Sequence, residues 1–299
     1  MADEVLYEVE RGRARITLNR PERHNALTDG MQRVIGDFLW QADDDTTVHA
    51  VVIRGNGPSF CSGYALGGAA GAGRDAKTSR GRQTFDDDVW QLERLQRWRM
   101  TPFDMHKPVV AQVHGACLAG GTDLVLYCDL VIAADDARFG FPAARDLGSL
   151  PSQMWLYHVG PQWAKRLLLT GDSITGTEAA AIGLALKAVP VAQLEDEVEQ
   201  LLDRFALIHP DLLTANKRIV NLGLELMGAR TLQRLAIEND ARAHRTPAFD
   251  EFGRRAREHG LKEAMRMRDA PFGDGRARVR GPEVRDDEGR LVDDKPEGQ

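Results

Sequence analysis

Near the start of the chain, apolar and polar positions alternate with a period of two. Within residues 4–18, VLYEVE, a turn at Gly12 and ARITLNR read as two short strands, with Ala14, Ile16 and Leu18 on one face of the second. Residues 28–42 change to a helical period and open at Thr28-Asp29, a helix-start signal. Three apolar runs, HAVVIRG (49–55), VVAQVHG (109–115) and DLVIAA (129–134), are candidates for buried strands. Helical patterns separate them, and this order predicts an α/β fold with a parallel sheet. Residues 67–83 are small, polar and Gly-rich, which predicts a mobile loop. A helix over about 85–100 follows, with Trp90, Leu92, Leu95 and Trp98. Beyond residue 152 the pattern is helical almost throughout, over 152–159, 161–169, 175–182, 191–207, 211–228, 230–242, 248–258 and 260–269, broken by LKAVP at 186–190. Residues 273–299 mix charges with Gly and Pro and predict a charged flexible tail.

With 299 residues the chain is long enough for one large domain and a helical annex. The formal net charge of -6 excludes a general nucleic-acid footprint, although a local basic pocket remains compatible with it. Acidic residues stand in MADEVLYEVE, where a secretion signal begins basic, and no apolar run is long enough to span a membrane. The expectation is a cytoplasmic protein without nucleic-acid or membrane partners. Cys61, Cys117 and Cys128 lack paired spacing, and the histidines form no cluster, so neither a disulfide framework nor a metal site is expected.

Two strand-to-turn junctions carry the candidate chemistry. One is Phe60-Cys61-Ser62-Gly63-Tyr64-Ala65-Leu66, and the other runs from His114-Gly115 through Leu118-Ala119-Gly120-Gly121-Thr122-Asp123-Leu124 into a helix over 120–127. Small residues admit close approach to the backbone, and a helix start leaves N–H groups unpaired, which suits an oxygen that becomes negative. Each junction alone also reads as an ordinary tight connection.

Their order resembles the crotonase superfamily, the enoyl-CoA hydratase/isomerase family, over roughly residues 4–272. Asn19-Arg20-Pro21 with Asn25-Ala26-Leu27, Phe60-Cys61-Ser62-Gly63, Gly115 through Leu124, Cys128-Asp129, Phe139-Gly140-Phe141-Pro142, and Leu169-Thr170-Gly171 with Ile174, Ala179, Ile182, Gly183 and Leu184 are similar to its landmarks in the same order. The resemblance implies a crotonase-like β-β-α spiral core over 1–195 with the CoA and acyl site, a C-terminal helical trimerisation region over 196–272, and a homotrimer or hexamer. It implies an acyl-CoA thioester as ligand and no cofactor beyond the coenzyme A of the substrate. The backbone N–H groups of Tyr64 and Gly120 would form an oxyanion hole, and Asp123 stands where hydratases carry their first Glu. Ser62, Gly63, Ala65, Leu66, Leu118, Ala119, Pro142 and Ala143 would line the substrate path with Ala26, and Arg23 would meet the CoA phosphates or remain a surface arginine.

Departures from the family pattern leave the reaction open. Asp123 is a methylene shorter than Glu, and an acid in the first helical turn also serves as a cap. The second hydratase Glu is replaced by Ala143, and Asp146, in a stretch one residue longer than usual, is the nearest substitute. Trp155-Leu156-Tyr157-His158 replaces a Gly-rich stretch, so Trp155 would reshape the acyl pocket or pack in the core, and His158 would be an acid–base or a packing residue. Hydratase/isomerase chemistry stands beside hydrolysis, decarboxylation, C–C cleavage and non-catalytic binding of acyl-CoA.

Overall fold

The computed structural model describes residues 4–66 and 84–292. The Gly-rich segment read as a mobile loop, 67–83, lies outside the described residues. Strands β1 (Val5–Glu10) and β2 (Arg13–Leu18) pair antiparallel, and β3 (Ala50–Gly55), β4 (Val109–Val113), β6 (Leu130–Ala134) and β9 (Lys187–Val189) continue the sheet in parallel, in the order β1-β2-β3-β4-β6-β9. A smaller sheet stands beside it, with β5 (Ala116–Leu118) parallel to β7 (Arg138–Gly140) and β7 antiparallel to β8 (Ser173–Thr175). The chain passes from β4 to β5 through His114-Gly115, and from β6 to β7 through residues 135–137. Each repeat thus lays one strand in the large sheet and the next in the small one before a helix or helical turn, which is the β-β-α spiral.

Helix α1 (Asp29–Asp44) starts where its cap residue predicts, the Thr28 side chain accepting from Met31 N at 3.1 Å. Helices α2 (Phe85–Arg99) and α3 (Thr101–Asp104) lead into β4, and α4 (Gly120–Val125) follows β5. Helix α5 (Trp155–Thr170) bends at Gly160-Pro161, where the helical pattern also breaks in the sequence. Then come α6 (Gly176–Ala181), α7 (Leu194–Ala206), α8 (Pro210–Leu226), α9 (Ala229–Ala243), α10 (Pro247–His259) and α11 (Leu261–Asp269).

Strand β2 differs from the alternating expectation, because all six of its residues are buried. Glu199 and Asp203 of α7 cover its polar side: Arg13 pairs with both, and Arg15 reaches Glu199 at 2.6 Å. The three-residue strands of the small sheet escape periodicity altogether, being too short to show a pattern.

The tail also departs from expectation. Residues 273–292 are docked on the body rather than free: Ala277 is buried, Ser173 N donates to Gly275 O at 2.8 Å and Ala277 N to Ser173 O at 2.9 Å. Arg166 binds Glu283 through both carboxylate oxygens at 2.8 Å, and Arg285 lies among Asp274, Glu283 and the Arg276 carbonyl. Low apolar content hides this docking because charge pairs and a β-bridge carry it. Residues 293–299 lie outside the described residues.

Helix α8 buries none of its residues. One side sends Lys217 to Asp129 at 2.8 Å and Asn221 to the Phe103 carbonyl at 2.8 Å, while Leu212, Ile219, Val220 and Leu226 remain exposed. Truncation after Phe272 is expected to lower the melting temperature by at least about 3 °C, measured by calorimetry; an unchanged melt would mean that the docked segment adds nothing to the fold.

Candidate active site

The two strand-to-turn junctions meet. Cys61 and Cys117 form a parallel β-bridge, with Cys61 N donating to Ala116 O at 2.8 Å and Leu118 N to Cys61 O at 2.9 Å. A second bridge joins Leu27 to Tyr64 and draws in the Asn25-Ala26-Leu27 segment, Leu27 N donating to Gly63 O and Ala65 N to Leu27 O, each at 2.8 Å. Gly115 makes the first turn possible: its φ is +55°, and a methyl there would lie 2.1 Å from the Pro58 carbonyl oxygen. Gly63 faces Ala119 and the Gly120 nitrogen. Ala119 itself holds φ 45° and ψ -113°, an unusual conformation for a residue with a side chain, and it turns the chain into α4. Among the described residues the backbone N–H groups of Tyr64 and Gly120 donate to no partner.

Asp123, one turn into α4, is fully buried. The Tyr64 hydroxyl donates to its Oδ2 at 2.5 Å, and Arg99 Nη1 donates to that same hydroxyl oxygen at 2.8 Å. Oδ1 has no partner among the described residues, and nearby Ser152 Oγ makes no hydrogen bond of normal geometry. The carboxylate therefore does not cap the α4 backbone. Burial pushes the Asp123 pKa up to about 7, while Arg99 and the Tyr64 hydrogen bond pull down and buried Asp240 pushes further up. Behind Arg99 lies a buried polar cluster. Gln96 Oε1 accepts from Arg99 Nη2 at 2.7 Å, Gln96 donates to the Tyr127 hydroxyl, and Tyr127 donates to Gln233 Oε1 at 2.7 Å. His244 bridges Asp88, at 3.0 Å, and Asp240, at 3.5 Å.

This geometry has relatives. The sequence profile described as enoyl-CoA hydratase/isomerase matches residues 8–246. The chain belongs to the enoyl-CoA hydratase/isomerase family. It is 37% identical to an enoyl-CoA hydratase from Mycobacterium smegmatis of known crystal structure, with a TM-score of 0.85 over 91% of this chain and 95% of that one. An enoyl-CoA hydratase/isomerase from Xanthobacter autotrophicus Py2 superposes with a TM-score of 0.82 at 34% identity, over 90% of this chain and 98% of that one. A hydroxycinnamoyl-CoA hydratase-lyase of Pseudomonas fluorescens is 30% identical over 219 residues, 71% of this chain and 76% of that protein.

As a member of the enoyl-CoA hydratase/isomerase family, the protein has the crotonase fold and is an acyl-CoA-processing enzyme of that type. Several predicted site residues come together around the junction. Ser62 is exposed, its N–H donating to His24 O at 2.9 Å, with Arg23 exposed beside it. Ala26, Gly63, Ala65, Leu66, Leu118 and Ala119 follow the two bridges. Ala119 N donates to Gly140 O at 2.9 Å, which brings the end of β7, and hence Pro142 and Ala143, next to α4.

Other predicted residues lie elsewhere. Trp155 is fully enclosed in the core, and its indole N–H meets no acceptor among the described residues. His158 is structural: its Nε2 lies 3.1 Å from the Leu126 carbonyl, and burial lowers its pKa, keeping it neutral. Asp146 does not replace the missing Glu; it turns to the C-terminal helices, 3.9 Å from Arg268, and neither oxygen has a hydrogen-bond partner among the described residues. Cys61 and Cys117 are buried, and burial pushes Cys61 up to about 12, so neither is a nucleophile. Sequence reasoning missed Arg99, Gln96, Asp240 and the Tyr64 phenol. The available signal was Tyr64, a large phenol among the small residues of its turn; Arg99 stands beside Arg94 and Arg97 and gave none. Among the described residues no group of His, Cys, Asp or Glu is arranged to hold a metal, and no helix is long and apolar enough to cross a membrane.

Burial raises the Asp146 carboxyl to about 6, against the pull of Arg268. Folding therefore favours its protonated form, so its contribution is full below about pH 4 and is lost as pH rises through the folded value. Asp146→Asn is expected to raise the melting temperature at pH 8, with the gain shrinking toward pH 4.5. Thermal melts at both values check this, and destabilisation at pH 8 would refute it.

Proposed function

We propose that the protein forms an enolate of an acyl-CoA thioester, as an enzyme of the hydratase/isomerase type, with the Tyr64 and Gly120 N–H groups holding the thioester oxygen and Asp123 accepting the proton. The observation that carries this reading is the pairing of two N–H groups, unpartnered among the described residues, with a buried carboxylate one helical turn away whose pKa is raised to about 7. Donors aimed at a developing oxyanion are worth about 2.7–4 kcal/mol each in comparable sites. A carboxyl near neutrality is a better base than an ordinary one, because it both accepts a proton and returns it at working pH. With Ala143 at the second acid position, moving a proton between carbons is favoured over adding water, which uses two acid–base groups in this family. Arg23, Ala26, Ser62, Gly63, Ala65, Leu66, Leu118, Ala119, Pro142 and Ala143 line the proposed substrate path. The substrate supplies the only coenzyme in this reading.

Incubation of saturated, 2-enoyl and 3-enoyl CoA thioesters in deuterated, heavy-oxygen water, followed by mass spectrometry, tests the reading. Deuterium uptake or double-bond migration without heavy oxygen is expected, and Asp123→Asn is expected to reduce it at least about 100-fold. Heavy-oxygen incorporation into the acyl chain would mean hydration, and free CoA would mean hydrolysis.

The exposed apolar side of α8 supports assembly as a homotrimer or a pair of trimers. Light scattering is expected to give a multiple of three chains, reduced by Ile219→Asp; a monomeric native protein would reject this assembly.

A further inference from the structure

Asp123 has no exposed surface, whereas Tyr64 keeps part of its own. The Tyr64 ring lies across Gly120, where an added methyl would sit 2.8–3.0 Å from the ring carbons, and its hydroxyl stands between the junction and the carboxylate. Arg99, 3% exposed, donates to the phenol oxygen at 2.8 Å, and its guanidinium carbon is 5.5 Å from the ring centroid. Two buried or half-buried partners thus hold this one oxygen, a base on its proton and a cation on its lone pair.

We propose that the Tyr64 phenol, and not the Asp123 carboxylate directly, meets the substrate carbon, so that Tyr64 and Asp123 work as a dyad with Arg99 behind them. This rests on the enolate reading above. In the forward step the C–H bond at the thioester α carbon breaks and its proton forms a new O–H bond on Tyr64. The original phenol proton crosses the 2.5 Å hydrogen bond to Asp123 Oδ2. The electron pair of the broken bond enters the enolate, whose oxygen carries the negative charge toward the Tyr64 and Gly120 N–H groups. Reprotonation at the same or a conjugated carbon reverses both transfers, so the dyad ends as it began. Arg99 stabilises negative charge on the phenol oxygen while the protons are in flight. One residue thereby supplies an oxyanion donor from its backbone and the acid–base group from its side chain, which accounts for a working site despite Ala143.

Tyr64→Phe separates the two roles, because it keeps the backbone N–H and the ring over Gly120 and deletes only the hydroxyl. In deuterated water with a saturated acyl-CoA of four to eight carbons, α-proton exchange is expected to fall at least about 100-fold. Binding of the same thioester by calorimetry is expected to stay near wild type, while the melting temperature falls by a few degrees because buried Asp123 and Arg99 each lose a hydrogen bond. Exchange within about threefold of wild type would overturn the dyad, because the carboxylate would then act alone. Incorporation of 3-fluorotyrosine at position 64, which makes the phenol more acidic, is expected to move the pH profile of exchange to lower pH. The charged groups facing that phenol, Asp123 from α4 and Arg99 from α2, with Asp240 of α9 beyond them, are unchanged in that protein. An unmoved profile would make Tyr64 a positioning residue and overturn the proposal. Loss of exchange in Asp123→Asn with retention in Tyr64→Phe leaves the enolate reading standing and sinks only the dyad, whereas no exchange in the wild type with any thioester sinks both.

Discussion

Everything at the site depends on two hydrogen bonds between chain segments more than fifty residues apart. Cys61 N to Ala116 O and Leu118 N to Cys61 O stitch the first turn to the second. Each turn alone is a strand end with spare N–H groups. Joined, they bring Gly63 against Ala119 and the Gly120 nitrogen, and the spiral strand arrangement holds the two turns from both sheets. The positive φ of Ala119 belongs to the same constraint, since it redirects the chain so that α4 begins at the junction. Backbone strain of this kind persists only where the surroundings over-determine it. Here the bridges and the Ala119 N to Gly140 O bond supply that determination.

Burial governs the remainder. A carboxylate removed from water without full compensation rises in pKa, and Asp123 has one oxygen hydrogen-bonded and one without a partner among the described residues. Arg99 and Tyr64 moderate that rise without cancelling it. Gln96, itself donating to Tyr127, and Gln32 accept from the other donors of Arg99, which keeps a buried cation tolerable and rigid. The polar cluster is therefore as much part of the site as the two turns.

Residue patterning conveyed the large sheet and the helices well, because strands such as VVAQV and helices with caps such as Thr28 carry their own signals. It conveyed the tight turns too, since Gly63, Gly115 and Gly120 mark close approach of the backbone. It failed for β5, β7 and β8, whose three residues show no period, and for the tail, whose docking uses charges scattered over Arg166, Glu283 and Arg285. The surroundings of Asp123 were hidden for another reason. Arg99 reads as one more polar residue on a helix, and Asp240 as one more acid on another; only packing α2 against α9 puts them near the carboxylate. Tyr64 was read for its N–H alone, and its side chain needed coordinates.

The split between these two sources of function bears on how such a site changes over time. The two junction turns are encoded within short contiguous stretches, while the surroundings of the carboxylate also draw on Arg99 of α2 and on Asp240 of α9, the latter over a hundred residues downstream. A descendant that exchanges or drifts in its last helices would inherit the same two turns with a differently tempered carboxylate. New reactions can thus arise in this lineage without a single replacement among the residues that touch the substrate, and a motif search confined to the two turns would register no difference.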